Sequence, residues 1–310
     1  VPIKDVMFEH RMYLPLAAVI AAIVVPLAYW LWSQIDNRKS TIDNSRPATV
    51  IAIITVVIAA PLAYATHMRN RTYHSELTMW QDVVAKRPNN ARAHIAVGNA
   101  LTARNDLVQA LEAARQATLV NPNYADGHCA MGIILSKMGR TEEAISSYRI
   151  AVQLDPSHSR AWYNSGNALD RLGRYDEAVH AYTRSIEFNS RFADAYCNCG
   201  NTLMRQNQTG DAIEKFHQTI ALDPKHAKGH NNLGDALSVM GQLEEAQAEF
   251  EEAIRLQPDY HKARINLALL HKRRGRVEDA LEQCELVLQA DPNNPAAQDL
   301  MTAIQSEGGK

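Results

Sequence analysis

The sequence has 310 residues, of which 46% are hydrophobic and 6% aromatic, and its formal net charge is −2. That charge gives no reason to expect nucleic acid as a partner, since nucleic-acid binding requires concentrated positive charge. Four cysteines in a chain of this length exclude a scaffold built on disulfides. The apolar residues are unevenly distributed, and the character of the chain changes near residue 70.

Two long uncharged stretches lie before that point, at about 12–32 and 47–66. A helix rises ~1.5 Å per residue, so each stretch reaches ~30 Å, the thickness of a bilayer core. Tyr13 and Trp30 lie near the ends of the first stretch, as is typical of a membrane interface. The sequence therefore predicts a two-span transmembrane hairpin in residues 1–70, with the lipid bilayer as a partner. The basic residues around it are divided too evenly to fix its orientation.

From residue 91 the sequence repeats every 34 residues without an insertion or deletion. The six segments are 91–124, 125–158, 159–192, 193–226, 227–260 and 261–294. Position 20 is alanine in every segment and position 8 is glycine in five of them, which allows two antiparallel helices to approach closely. Position 15 is always glycine or asparagine, the residues that accept the left-handed turn after a helix. A proline at position 32 of five segments ends the second helix.

Partial copies of the pattern flank the six segments. Trp80, Val83 and Pro88 fall at positions 24, 27 and 32 of an upstream frame, so residues 71–90 are expected to form a junction helix or half-repeat. Residues 295–310 are expected to form a capping helix and tail, because their polar side chains suit the exposed end of a repeat array.

This pattern resembles the tetratricopeptide repeat, a helix–turn–helix unit of 34 residues. The stretch Ala161–Leu169, which reads AWYNSGNAL, is close to the consensus of that family. The resemblance implies an all-α fold, in which the transmembrane hairpin is followed by an α-solenoid that winds as a right-handed superhelix.

Asparagines recur at positions 6 and 9, which share one face of the first helix. The candidate groove residues are Asn164, Asn198, Asn232 and Asn266 at position 6, and Asn99, Asn167, Asn201 and Asp235 at position 9. We call the asparagines at positions 6 and 9 the asparagine ladder. The family resemblance places this face in the concave groove, and the ladder is similar to that of O-linked N-acetylglucosamine transferase repeats. Because an amide both donates and accepts hydrogen bonds, it suits the backbone of an extended peptide. The alternative is that these asparagines belong to the repeat consensus and only solvate the groove.

The repeats contain no sequence motif for catalysis. A glycine-rich phosphate loop, a G-x-S-x-G motif and an H-E-x-x-H motif are all missing from the sequence. The four cysteines, Cys129, Cys197, Cys199 and Cys284, are interpreted as small buried apolar residues rather than metal ligands. We therefore expect no catalytic residue, no metal and no cofactor in the repeat region.

The segment before the first predicted span contains Glu9, Arg11 and Tyr13. It resembles the Glu-Arg…Tyr-Leu-Pro segment of the transmembrane-and-tetratricopeptide-repeat protein O-mannosyltransferases and their bacterial relatives. The resemblance implies that these three residues contact a lipid-phosphate sugar donor, and that the repeats are periplasmic or luminal. The alternative is an interfacial anchor, in which Arg11 reaches the headgroups and Tyr13 belongs to the aromatic belt.

Two functional hypotheses result. The first is a membrane-anchored protein–protein interaction module that binds extended peptide or protein segments in its groove, so that replacing Asn198 and Asn232 by alanine weakens binding. The second is the C-terminal, acceptor-presenting part of a polytopic membrane glycosyltransferase for lipid-phosphate-sugar-dependent protein O-glycosylation. A role in assembling a secretion or respiratory complex would use the same groove, and the sequence does not separate it from the first hypothesis.

Overall fold

The structure is a computed structural model, and it describes Trp30 and residues 75–308. Residues 75–308 form fourteen α-helices. These are α1 Glu76–Lys86, α2 Ala91–Ala103, α3 Leu107–Val120, α4 Ala125–Lys137, α5 Thr141–Leu154, α6 Ser159–Arg171, α7 Tyr175–Phe188, α8 Ala193–Arg205, α9 Thr209–Leu222, α10 Ala227–Val239, α11 Leu243–Leu256, α12 His261–Arg273, α13 Val277–Ala290 and α14 Pro295–Gly308.

Helix α1 belongs to the first of two compact units, residues 1–88, and is described by itself. Its start is fixed by a capping box, in which the Ser75 hydroxyl accepts from the Thr78 backbone N–H at 3.2 Å and the Thr78 hydroxyl accepts from the Ser75 N–H at 3.3 Å. The helix ends at Lys86, two residues before Pro88. This spacing between helix end and proline is the one seen in the full repeats.

The second unit, residues 89–310, contains the six repeats as six helix pairs. In each repeat the first helix occupies positions 1–13 and the second occupies positions 17–30. The residue at position 15 has a positive φ in every repeat, between 60° and 83°, whether it is glycine or asparagine. The helix–turn–helix unit and its left-handed turn, both predicted from the sequence, are therefore confirmed.

Each helix pair is held together by close packing between position 8 of the first helix and position 24 of the second. The position-20 alanines, also on the second helix, are fully buried in all six repeats. A Cβ added to Gly132 would lie 2.5 Å from Tyr148, and one added to Gly166 would lie 2.7 Å from Tyr182. In the last repeat the sizes are exchanged: the larger Ala268 stands at position 8, and the small Cys284 stands at position 24.

Helix α14 covers the end of the last pair. Leu300 and Ile304 pack against Ala268, Ala280 and Cys284 in one buried cluster. The other face of α14 is polar and exposed. An exposed polar face is what a terminal helix needs, since no further repeat covers it.

The predicted membrane spans, at about 12–32 and 47–66, lie outside the described residues except for Trp30, and the same is true of Glu9, Arg11 and Tyr13. Among the helices of residues 75–308, none is both long enough and apolar enough to cross a bilayer. The hairpin therefore stays a prediction from the sequence.

Candidate functional site

An open cleft of about 440 Å³ lies along the first helices of repeats 2 to 5, which are α4, α6, α8 and α10. Four of the candidate asparagines line this cleft: Asn164, Asn167, Asn198 and Asn201. Its wall also includes Tyr148 and Tyr182, the large side chains at position 24. Positions 6 and 9 of neighbouring repeats therefore meet on one surface, as the sequence pattern indicates.

A first chain of hydrogen bonds connects repeats 3, 4 and 5. Lys228 Nζ donates to Asn198 Oδ1 at 3.1 Å, and because an ammonium group can only donate, this contact fixes the orientation of the Asn198 amide. Asn198 Nδ2 then donates to Tyr163 Oη at 3.0 Å and to Asn167 Oδ1 at 2.9 Å. Tyr182 Oη donates to the same Asn167 oxygen at 2.7 Å.

A second chain of amides connects repeats 6, 5 and 4. Asn266 Nδ2 donates to Asn231 Oδ1 at 3.0 Å, and Asn231 Nδ2 donates to Asn232 Oδ1 at 3.1 Å. Asn232 Nδ2 donates to Asn201 Oδ1 at 2.7 Å and contacts Cys197 Sγ at 3.5 Å. Asn231 is fully buried, so its amide must be hydrogen-bonded within the protein.

The two positions of the ladder therefore do different work. In both chains a position-6 amide donates to the position-9 oxygen of the preceding repeat. The amide hydrogens of Asn198 and Asn232 are therefore all used in contacts between repeats. Asn167 and Asn201 use only their oxygens in these chains. Asn201 Nδ2 has no hydrogen-bond partner among the residues that the structure describes, whereas one side of the Asn167 Nδ2 group faces the Tyr163 hydroxyl. Because an amide nitrogen carries two hydrogens, each of the two amides keeps at least one N–H available in the cleft.

Two other candidates stay outside these chains. Asn164 follows a repeat with Ile133 at position 9, which offers no acceptor, and its side chain lies beside the Cys129 thiol instead. Asn99 is exposed in repeat 1, and the next repeat has Ala130 at position 6, so no amide reaches it. The sequence pattern alone does not distinguish these two asparagines from Asn167 and Asn201. The structure does, because among these four only Asn167 and Asn201 take part in the hydrogen-bond chains.

Asp235 replaces asparagine at position 9 of repeat 5. Asp235 is exposed to solvent, but partial loss of hydration among neighbouring atoms raises the pKa of its carboxyl, while Lys262 lowers it. The Asn266 amide donates to Asn231 rather than to this carboxylate. Asp235 is therefore a carboxylate without the amide contact that its counterparts have.

The sequence analysis missed the basic residues of the cleft, three of which lie at position 13. This position reads Ala103, Lys137, Arg171, Arg205, Val239 and Arg273. Arg171 donates to the Ser136 hydroxyl of the preceding repeat, and Arg205 forms an ion pair with Asp170 at 2.6 Å. The column is visible in the sequence.

The cysteines are buried, as predicted from the sequence. Burial raises the pKa of the Cys129 thiol to about 12 and that of Cys199 to about 11, so both are protonated at neutral pH. Within residues 75–308 no three histidine, cysteine or acidic side chains come together as metal ligands would.

The comparisons with known proteins address the family and the fold. Two family models, both described as tetratricopeptide repeat, match residues 69–127 and 129–194 and residues 203–253 and 240–304. They give no support to the resemblance to the O-mannosyltransferases, and no curated protein matches the chain by sequence.

Three similar solved structures share the fold. PilF of Pseudomonas aeruginosa is 18% identical with a TM-score of 0.61, over 70% of this chain and 99% of that one. PilW, a type IV pilus biogenesis factor, is 19% identical with a TM-score of 0.63, over 68% and 98%. YrrB is 23% identical with a TM-score of 0.51, over 61% and 97%. The chain is a tetratricopeptide repeat protein.

Proposed function

We propose that this chain is a protein-interaction module that holds an extended protein segment in the cleft of repeats 2 to 5. The observation that carries the proposal is the pair of available amide donors on Asn167 and Asn201, one repeat apart in an open cleft. The similar structure YrrB is described as a tetratricopeptide repeat protein with an unusual peptide-binding site, which supports this use of the fold.

The donors are suited to peptide carbonyl groups because they are held in place before binding. Tyr182 and Asn198 both donate to the Asn167 oxygen, and Asn232 donates to the Asn201 oxygen, so neither amide has to be ordered by the ligand. A preorganised donor loses less conformational entropy on binding than a free side chain does. Backbone carbonyls are present in every segment, so these two contacts favour an extended conformation rather than one sequence.

The test replaces both asparagines by aspartate. The double variant N167D/N201D keeps the oxygens that accept from Asn198 and Asn232, removes the amide donors and adds two negative charges. Affinities are therefore compared at high salt, where the effect of the added charges is screened and the loss of the donors is not. Twelve-residue peptides selected from a random library on the full chain serve as probes, and fluorescence anisotropy measures their affinity. We expect the double variant to bind them at least about tenfold more weakly, as expected for loss of two hydrogen bonds of ~1 kcal/mol each.

The matched control is N99D, which makes the same change at position 9 of repeat 1, outside the cleft. Its affinity should stay within about twofold of the wild-type value. The proposal is wrong if N167D/N201D binds the peptides as tightly as the wild-type chain does, if N99D weakens binding equally, or if the library yields no binder. Alanine at Asn198 is a poorer probe, because it also removes hydrogen bonds between repeats.

Attachment to a membrane stays a prediction from residues 12–32 and 47–66. A periplasmic or luminal location rests only on the resemblance of the segment that holds Glu9, Arg11 and Tyr13. Neither enters the proposal for the cleft, which depends on residues 125–239 alone.

A further inference from the structure

The cleft carries a strong excess of positive charge. Its lining includes four cations, Lys137, Arg171, Arg205 and Lys228, and a single carboxylate, Asp170. The chain as a whole has a net charge of −2, so this excess is a local property of the cleft.

Three of the four cations have no acidic partner among the residues that the structure describes. Arg171 donates to the Ser136 hydroxyl and Lys228 to the Asn198 amide oxygen, and both acceptors are neutral. Lys137 is exposed and has no ion-pair partner among the described residues. Only Arg205 is paired, with Asp170 at 2.6 Å. A ligand that enters the cleft therefore meets positive charge that remains available.

The ends of the helices do not explain these cations. Position 13 is the last residue of each first helix, where a positive charge stabilises the helix dipole by ~0.3–1 kcal/mol. However, repeats 1 and 5 have Ala103 and Val239 at this position and form first helices of the same length. The fold thus accepts an apolar residue at position 13. Position 13 carries a cation in four repeats. Three of these cations lie on the successive helices α4, α6 and α8 and border the cleft, whereas the fourth, Arg273 of α12, lies outside it and donates to Ser238 of the preceding repeat.

The spacing of these helices defines what the cations can bind. The hydrogen bond between Asn198 and Asn167 shows that α8 and α6 are in direct contact, and contacting helices lie ~8–10 Å apart. A polyproline II segment advances ~3.1 Å per residue with three residues per turn, so every third side chain returns to the same face after ~9 Å. The spacing of the helices and the period of the polyproline II segment therefore agree. An extended β-strand does not match, since its same-face side chains are ~7 Å apart.

We infer that the occupant of the cleft is an acidic protein segment in an extended, polyproline-like conformation, with Asp or Glu at every third residue facing Lys137, Arg171 and Arg205. The inference rests on the proposed function and adds the chemistry and the period of the ligand. Lys228 lies near the opposite end of its helix and meets a further acidic group on the other rim of the cleft.

The test uses synthetic peptides of Ala, Ser, Pro and Glu on the full chain. The periodic peptide has glutamates at residues 2, 5 and 8. An isomer of the same composition has them at residues 2, 3 and 4, and a third peptide has lysine in place of glutamate. All are acetylated and amidated, so that no terminal carboxylate contributes to binding. Affinity is measured by isothermal titration calorimetry at low and high salt.

The protein variant is K137Q/R171Q/K228Q, which removes the three uncompensated charges and leaves the Arg205–Asp170 ion pair in place. The control variant R149Q/R191Q/K225Q makes the same change in charge at exposed cations outside the cleft. We expect the periodic peptide to bind about tenfold more tightly than its isomer, and K137Q/R171Q/K228Q to lose about tenfold, the product of three modest ion pairs. The control should stay within about twofold, and salt should weaken binding of the periodic peptide.

Several results would overturn the inference. These are equal affinities for the two acidic isomers, unchanged binding by K137Q/R171Q/K228Q, an equal loss in the control variant, or preferred binding of the lysine peptide. The library peptides separate this failure from failure of the proposed function. Suppose that the library peptides bind, that N167D/N201D weakens their binding, and that they have no acidic residue at every third position. The cleft then binds peptides, and only the inferred preference for acidic ones is wrong.

Discussion

At the residue scale, the asparagine ladder divides into structural and available groups. Lys228 sets the orientation of Asn198, and Asn198 in turn occupies the oxygen of Asn167. Such a chain of amides has one consistent direction, so it leaves at least one N–H of the Asn167 Nδ2 group available, while the other faces the Tyr163 hydroxyl. A substitution of one of these asparagines therefore tests peptide binding only when it keeps the amide atom that contacts the neighbouring repeat.

Asp235 gives a pH-dependent prediction. Loss of hydration raises the pKa of its carboxyl above the ordinary aspartate value of 3.8, so the folded protein binds this proton more tightly than the unfolded chain does. Above the folded pKa the charged carboxylate therefore costs stability, and this cost disappears as the pH falls through the folded pKa toward 3.8. We expect D235N to raise the Tm at pH 7 by up to a few degrees, and the difference to shrink toward pH ~4.

Circular dichroism melts of both proteins across this pH range provide the measurement. The reverse change at the same position of repeat 1, N99D, serves as a control and should alter the Tm little. A D235N variant that melts below the wild-type chain at pH 7, or a difference independent of pH, would contradict this account of Asp235.

At the scale of the helix pair, packing depends on a glycine opposite a large aromatic ring. A Cβ at position 166 would lie 2.7 Å from Tyr182 Cε1, inside van der Waals contact. We expect G166A to lower the free energy of unfolding by ~1–3 kcal/mol, the usual cost of overpacking. Urea denaturation followed by circular dichroism measures the change.

The same substitution has the opposite sign elsewhere in the array. Gly210 lies in α9, and a Cβ there would meet no atom within 4 Å, so G210A should stabilise the helix by up to ~1 kcal/mol. If G166A were neutral, or if both alanines destabilised the protein equally, the packing at position 8 would not be the determinant described here.

The helix pairs were predictable because their signals are local. Glycine or asparagine at position 15 and proline at position 32 mark each turn and each helix end by their own backbone preferences. The hydrogen bonds of the ladder were not predictable from the same columns. Asn198 and Asn266 occupy the same position, yet Asn198 donates to positions 5 and 9 of the preceding repeat, whereas Asn266 donates to position 5 and not to Asp235 at position 9. The residues that the preceding repeat places at these two positions decide the pattern.

At the scale of the whole molecule, the charge of the cleft could not be inferred from composition. A net charge of −2 conceals three uncompensated cations that the repeat period brings to one surface. The groove face itself was predictable, since positions 6 and 9 share a helix face. The basic column at position 13 was equally regular, but it acquires meaning only once Lys137 and Arg171 are seen to border the same cleft as Asn167.

The central claim is that the cleft, and not another surface of the array, holds the bound segment. Site-specific photocrosslinking tests it most directly, with a benzophenone amino acid at Ile133 in the cleft or at Arg149 on the exposed face of α5. Ile133 is chosen because it takes no part in the amide chains. We expect the full chain with a selected library peptide to crosslink from position 133 and not from position 149. Crosslinks from position 149 alone, or equally from both, would contradict the account.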